Sequence, residues 1–276
     1  MLLLFIGDVV GKPGRRIVQQ ALPGLIAERG IDLVVCNAEN AAAGSGYTPK
    51  IHAELMGAGV DAITLGDHVY KRREVLPLLE SADNVVRPCN MPLEATGRRW
   101  AVVESRSGER VLVCCALGQL FMKNCDSPWR AIDSVLAEAP SDVRVRFVDF
   151  HAEATGEMQI AGRYYDGRVA ALLGTHTHVP TADECVLPGG TAFQCDVGMT
   201  GPHDSILGRR IDRVLAATLT GMHHPFDVAE ADVRINATLV TIDPASGLAT
   251  AIERVVVDEQ EAQRLAGGGG ESSGPG

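Results

Sequence analysis

At 276 residues the chain is long enough to bury a sizeable core, and a hydrophobic content of 46% fits a soluble globular protein. Lys and Arg number 25 against 35 Asp and Glu, a formal net charge of -10 that opposes long DNA or RNA and leaves a small anionic substrate at a cationic metal compatible. The 7 cysteines fall at irregular spacings, with Cys36, Cys114 and Cys115 inside apolar runs, so they read as reduced core thiols rather than a disulfide framework or a Cys-x-x-Cys zinc site.

Residues 2–6 form a continuous apolar run that breaks at Gly7-Asp8, the pattern of a strand buried on both faces. The run is too short, and lacks the basic flank, for a signal peptide; no stretch is long enough to span a membrane, and a cytoplasmic location is expected. Gly11-Lys12-Pro13-Gly14 reads as a tight strand-to-helix turn, since Lys12 lacks the Gly-Lys-Ser/Thr context of a phosphate loop. The spacing of Ile17, Val18, Ala21, Leu22, Leu25 and Ile26 predicts a helix over about 15–29, stopped by Gly30. Residues 31–36 give a second strand ending in Asn37-Ala38-Glu39-Asn40, after which Thr48 supplies an N-cap and Pro49 a first helical position. Residues 60–65 give a third strand, ending in Gly66-Asp67-His68. The repeated order of strand, polar cluster and helix argues for parallel strands with crossover helices, which set functional residues at the strands' carboxyl ends.

A helix over about 72–79 leads to Val85-Val86 and a proline-rich loop over 87–92. Residues 100–103 and 111–116 pair as a hairpin around Ser107-Gly108, which adds an antiparallel portion. Ser127 caps a helix over 127–139, and the strand over 143–150 delivers His151-Ala152-Glu153. The apolar run over 169–173 delivers Gly174-Thr175-His176-Thr177-His178, where an extended backbone would place both imidazoles on one side. A short strand over 191–195 precedes the glycine-rich stretch 196–202, a helix covers 211–219, and alternating strands over 228–242 and 249–257 close the fold. Residues 1–266 read as one domain, and the Gly/Ser-rich tail 267–276 is expected to be disordered.

Three histidines and several carboxylate or carboxamide groups at strand ends form the mixed nitrogen and oxygen set that divalent transition metals prefer. So many donors suit two ions about 3.5 Å apart, bridged by one carboxylate and a water-derived hydroxide, and phosphoester hydrolysis is the natural chemistry. An isolated His-x-His can instead be a pair of loop residues bonded to carbonyls. A TIM-barrel hydrolase would place the pair after its first strand, which here delivers Asp8. A regulatory or adaptor protein with structural metals would have no use for His68. Arg87, Arg98, Arg99 and Arg106 offer a local basic patch, although such arginines are more often solvated.

Six motifs in order, Gly7-Asp8-Val9-Val10-Gly11, Asn37-Ala38-Glu39-Asn40-Ala41-Ala42, Gly66-Asp67-His68, Asp149-Phe150-His151-Ala152-Glu153-Ala154-Thr155, Gly174-Thr175-His176-Thr177-His178-Val179 and Asp196-Val197-Gly198-Met199-Thr200-Gly201-Pro202, resemble the calcineurin-like metallophosphoesterases, most closely their YmdB-type bacterial branch. The resemblance implies an α/β fold, a four-layer α/β/β/α sandwich with two mixed sheets. It implies one metal held by Asp8, Glu39, Asn40 and His178 and another by Glu39, Asp67, His151 and His176, with Glu39 bridging. His68 would be the general acid in the attack of a metal-bound hydroxide on a phosphodiester, with 2',3'- or 3',5'-cyclic nucleotides as the substrates. Iron or manganese are the metals it suggests, with zinc and magnesium also compatible; a small phosphodiester partner, no membrane and self-association complete the expectation. Two departures stand out. Asp8-Val9-Val10 replaces the Asp-x-His of the broad superfamily, with Asn40 in the vacant place, and Asp67 stands where the family has Asn.

Overall fold

A computed structural model describes residues 1–122 and 125–267. Strand β1 (Leu2–Ile6) alternates between two buried surfaces: Leu4 and Ile6 face a layer of helices, while Leu3 and Phe5 face a second sheet. Helix α1 (Gly11–Arg29) starts four residues before the expected position, so the Gly11–Gly14 stretch is its first turn rather than a separate one. It ends at Gly30 in the left-handed conformation, φ 63°, which glycine adopts without a Cβ penalty. Strand β2 (Leu33–Asn37), helix α2 (Pro49–Gly57) and strand β3 (Ala62–Thr64) follow. Thr48 caps α2 by accepting from the Ile51 N–H at 3.4 Å. A 3-10 turn over Arg73–Val75 precedes the short α3 (Leu76–Ser81) and β4 (Val85–Val86).

The expected hairpin is present as β5 (Trp100–Glu104) and β6 (Arg110–Leu117), antiparallel, followed by α4 (Pro128–Glu138) with Ser127 as its cap. Strand β7 (Val145–His151) leads into α5 (Thr155–Tyr164), a helix that the sequence reading did not place. Strands β8 (Ala171–Thr175), β9 (Cys185–Val186), β10 (Ala192–Gln194) and β11 (Gly201–Pro202), helix α6 (Ile211–Thr220), the long hairpin β12 (Val233–Asp243) and β13 (Leu248–Val257), and α7 (Glu259–Gly267) complete the chain. α7 was also unforeseen: Gly267, the expected first residue of the tail, ends this helix, and the rest of that tail, 268–276, lies outside the described residues.

Both sheets are mixed. One runs β11-β12-β1-β2-β3-β4 with β13 on β12, parallel from β1 through β4 and antiparallel elsewhere. The other runs β5-β6-β7-β8-β10-β9, parallel from β6 through β10. Three hydrophobic clusters separate four layers. The first packs α1, α2 and α7 on the outer face of the seven-stranded sheet; the second, centred on Phe5 and Phe147 with ring centroids 4.8 Å apart, joins the sheets; the third packs α4 and α5 on the far side. The period-two alternation of β6 shows why one sequence serves two cores: Val111, Val113 and Cys115 enter the middle one, Leu112, Cys114 and Ala116 the outer one. The sheets stack so that β1, β2 and β3 end beside β7 and β8.

Candidate metal centre

Each candidate donor sits where a strand gives way to a turn. Asp8 follows β1, Glu39 and Asn40 follow β2, and Asp67 and His68 follow β3; His151 ends β7, and His176 and His178 follow β8. Donors from both sheets meet at this edge. One oxygen or nitrogen from each of Glu39, Asp67, His151 and His176 lies within 4.8 Å of the other three. These are the four residues expected to share one ion.

The geometry around His151 is the most telling. Its Nδ1 lies 2.8 Å from the Thr175 hydroxyl, which donates to Asp149 at 2.6 Å, so Nδ1 carries the proton and donates to Thr175. Its Nε2 faces Glu39 Oε1 at 3.3 Å, Asp67 Oδ1 at 3.3 Å and His176 Nδ1 at 3.1 Å. A ring nitrogen facing two carboxylates and a second imidazole must share a positive charge with them, either a proton on Nε2 or a metal ion. Gly66 keeps that space open, because a Cβ there would run into His151 Nε2 and Glu39 Oε2. The electrostatics agree. Burial opposes a charge on His151, but Glu39 and Asp67 override it and hold the imidazole well above its ordinary range. Burial likewise opposes ionisation of Glu39 and Asp67, and the positive His151 keeps both below the usual carboxylate range. His176 is pushed down by burial and by the charge on His151.

The second group is looser. Asn40 Nδ2 lies 3.2 Å from His178 Nε2 and 3.3 Å from Glu39 Oε1, and Asp8 Oδ1 lies 3.9 Å from His178 Nε2. Asp8 is fully buried and Oδ1 has no hydrogen-bond partner, an orphaned acceptor of the kind a cation satisfies. His178 Nδ1 lies 3.2 Å from the Leu207 carbonyl, to which it donates, so Nε2 is an acceptor that takes a hydrogen bond from Asn40 Nδ2 on the side of Asp8. The donor chemistry thus fits metal in both groups.

The expected direction of the His-x-His pair is corrected. His176 and His178 are not on extended backbone: their φ values are 102° and 67°, a left-handed conformation that costs non-glycine residues energy. Asp196 holds this turn, accepting from Thr177 N and Oγ1 at 2.9 Å each. His68 also lies in a turn, so strand alternation does not aim it; its Nδ1 faces Asn40 Oδ1 at 2.8 Å, its N–H donates to Glu39 Oε2 at 2.8 Å, and it remains partly exposed beside the cluster. Nor is there a patch of the four arginines. Arg87 is buried and donates to the carbonyls of Pro88, Pro92, Ala95 and Gly97, while Arg99 and Arg106 pair with Glu138 and Asp61.

The sequence reading missed the scaffold beneath the donors. Asp149 Oδ2 accepts from Asn37 Nδ2 at 2.9 Å and Thr64 Oγ1 at 2.6 Å, and its Oδ1 accepts from Thr175, so one buried carboxylate fixes β2, β3, β7 and β8 together. The available signal was a polar residue inside each otherwise apolar strand. Glu153 Oε2, 3.1 Å from His176 Nε2, was a further unassigned contact.

Two mixed sheets back to back, with a carboxylate and imidazole cluster where their strands end together, define the metallophosphoesterase fold. The model of the YmdB-like protein family matches residues 4–255, and the chain belongs to that family. A 2',3'-cyclic-nucleotide 2'-phosphodiesterase of Bacillus subtilis is 40% identical over 259 residues, which are 94% of this chain and 98% of that protein. Among solved structures, a hypothetical protein from Thermus thermophilus superposes with a TM-score of 0.88 at 43% identity, covering 94% of this chain and 100% of that one. A phosphatase from Mycoplasma pneumoniae gives 0.87 at 29% identity, covering 94% and 93%.

Proposed function

We propose that the chain is a dinuclear metal-dependent phosphodiesterase acting on cyclic nucleotides, the 2',3'-cyclic class first. The observation that carries this reading is the convergence on His151 Nε2 of two carboxylate oxygens and a second imidazole nitrogen at 3.1 to 3.3 Å. The substrate class is supported by the activity named for the Bacillus subtilis relative, which covers nearly the whole chain. Glu39, Asp67, His151 and His176 would hold one ion, and Asp8, Glu39, Asn40 and His178 the other. The nitrogen and oxygen donors suit divalent transition metals in general, and iron or manganese are the ions that the family resemblance suggests. When bound, such ions polarise a phosphoryl oxygen and supply a nucleophile near neutral pH. The chain's own residues do the rest. Asp149, through Thr175, fixes the tautomer of His151 and aims Nε2 at the site. Asp196 fixes the turn that carries His176 and His178. His68, anchored by Nδ1 on Asn40, as an imidazolium presents Nε2–H to the departing oxygen.

The test is metal analysis of the purified chain, followed by a screen of cyclic and linear phosphodiesters with that metal restored. Two equivalents of metal and turnover of nucleoside 2',3'-cyclic phosphates are expected. Turnover of phosphomonoesters alone would overturn the reading.

A further inference from the structure

The donor cluster accounts for a phosphate but leaves the base of a nucleotide without a contact. The segment that follows β6 starts beside that cluster. In the sheet, Leu117 pairs with His151, and the Gly118 N–H donates to the His151 carbonyl at 3.0 Å, so this segment starts on the backbone of a cluster residue. Its base is held firmly. Glu157, buried on α5, accepts from Gln119 N at 2.8 Å and Leu120 N at 3.1 Å. The Asn90 side chain donates to the Leu117 carbonyl at 2.8 Å and accepts from the Leu117 N–H at 2.8 Å.

From this fixed base Phe121 projects into solvent. It is 83% exposed, the most exposed large apolar side chain among the described residues, in a chain of only 4% aromatic content. Its φ is 70°, a left-handed conformation that is unfavourable for a bulky residue. Leu120 beside it is 53% exposed. An aromatic side chain kept in water on a strained backbone, with no partner among the described residues, points to an external one. Phe121 is three residues from Gly118, at most about 11 Å of extended chain, a reach that a nucleoside bridges when its phosphate lies at the cluster.

We propose that Phe121 is the stacking platform for the nucleobase of the substrate, with Leu120 widening its apolar edge. The proposal rests on the phosphodiesterase reading. Every base has a π-face, so this contact fastens the nucleoside without selecting strongly among bases. It makes a nucleotide a better ligand than the same phosphodiester without its base.

The experiment compares the parent chain, Phe121→Ala and Phe121→Trp, all full length and metal-restored. Binding of adenosine 3'-phosphate and of base-free ribose 3-phosphate is followed by calorimetry, and KM is measured for adenosine 2',3'-cyclic phosphate and for the methyl riboside 2',3'-cyclic phosphate. Phe121→Ala should raise Kd and KM for the nucleotides about 10-fold, the scale of one base–aromatic stack. The base-free ligands and kcat should hardly change, and Phe121→Trp should restore nucleotide affinity. Equal shifts for both ligand classes, or none, overturn the platform. So does a change in oligomeric state with nucleotide affinity intact, which would assign Phe121 to a protein contact. Should the parent hydrolyse neither diester, the phosphodiesterase reading fails, and calorimetry alone decides the platform.

Discussion

The Nδ1 of His176 lies 3.1 Å from the Nε2 of His151, with the rings edge to face and their centroids 4.8 Å apart. Two imidazole nitrogens at that distance share one proton or one cation, and the adjacent Glu39 and Asp67 carboxylates favour the cation. Everything that orients the pair therefore sets metal affinity. Replacing Thr175 with Val removes the hydroxyl that relays Asp149 to His151. Metal affinity should fall by about 10- to 100-fold, with little change in shape of the side chain. Competition with a metallochromic chelator measures it; an unchanged affinity would show that the relay does not orient the ligand.

On the proposed dinuclear reading, Asp67→Asn is expected to retain both ions and to raise phosphodiester turnover. Asp67 Oδ1 lies 3.3 Å from His151 Nε2 and 3.6 Å from His176 Nδ1, positions that an amide oxygen reaches equally well. The exchange removes one negative charge facing the ions and so leaves them stronger Lewis acids. Elemental analysis beside kcat checks both halves, and loss of an ion in the variant would mean that the extra charge is needed to hold it.

His68→Ala should keep the metals and the fold while turnover of diesters with poor alkoxide leaving groups drops by ~10²- to 10⁴-fold. An activated aryl diester, whose leaving group needs little protonation, should lose far less. Because His68 Nδ1 also faces Asn40 Oδ1 at 2.8 Å, metal content must be measured alongside. Equal losses on both substrates together with loss of metal would make His68 a residue that positions Asn40.

Stability in chelator should depend on pH through Asp196. Burial, reinforced by the Asp8 carboxylate, pushes its pKa up to about 8 from the ordinary 3.8. The folded state therefore keeps a proton that the unfolded chain has released. The associated stability is present below about pH 4 and is lost as pH rises through about 8. The Tm of the metal-free chain should fall across that interval. Asp196→Asn should flatten the fall while lowering Tm throughout, since an amide nitrogen cannot accept from both Thr177 and Gly198. A Tm of the metal-free parent that climbs with pH between those limits would refute this assignment.

Most of the strands, though not β9 or β11, the two capped helices and the polar clusters at strand ends were legible in the sequence because each rests on local pattern: apolar runs broken by polar residues, Thr48-Pro49, Ser127-Pro128 and the hairpin at Ser107-Gly108. That the two sheets stack came from the family motifs, since alternation in β6 reveals two buried faces without saying what covers them. α5 and α7 escaped notice; α7 buries only Ala262 and Leu265, too little for a visible stripe. The left-handed turns at His176 and His178 escape a local reading because their dihedrals are imposed by distant partners. The His176 N–H, for instance, donates to Asp8 Oδ2 at 3.1 Å across 168 residues.

β1 lies between β2 and β12, and β12 begins only at Val233. Until the ribosome has passed that point, one edge of a wholly apolar strand has no hydrogen-bonding partner, although most of the donor residues have already been made. A nascent or prematurely terminated chain thus presents Leu2–Ile6 as a bare template for pairing with another polypeptide. Products lacking the final hairpin should accumulate as aggregates or depend on chaperones, however intact their donor residues.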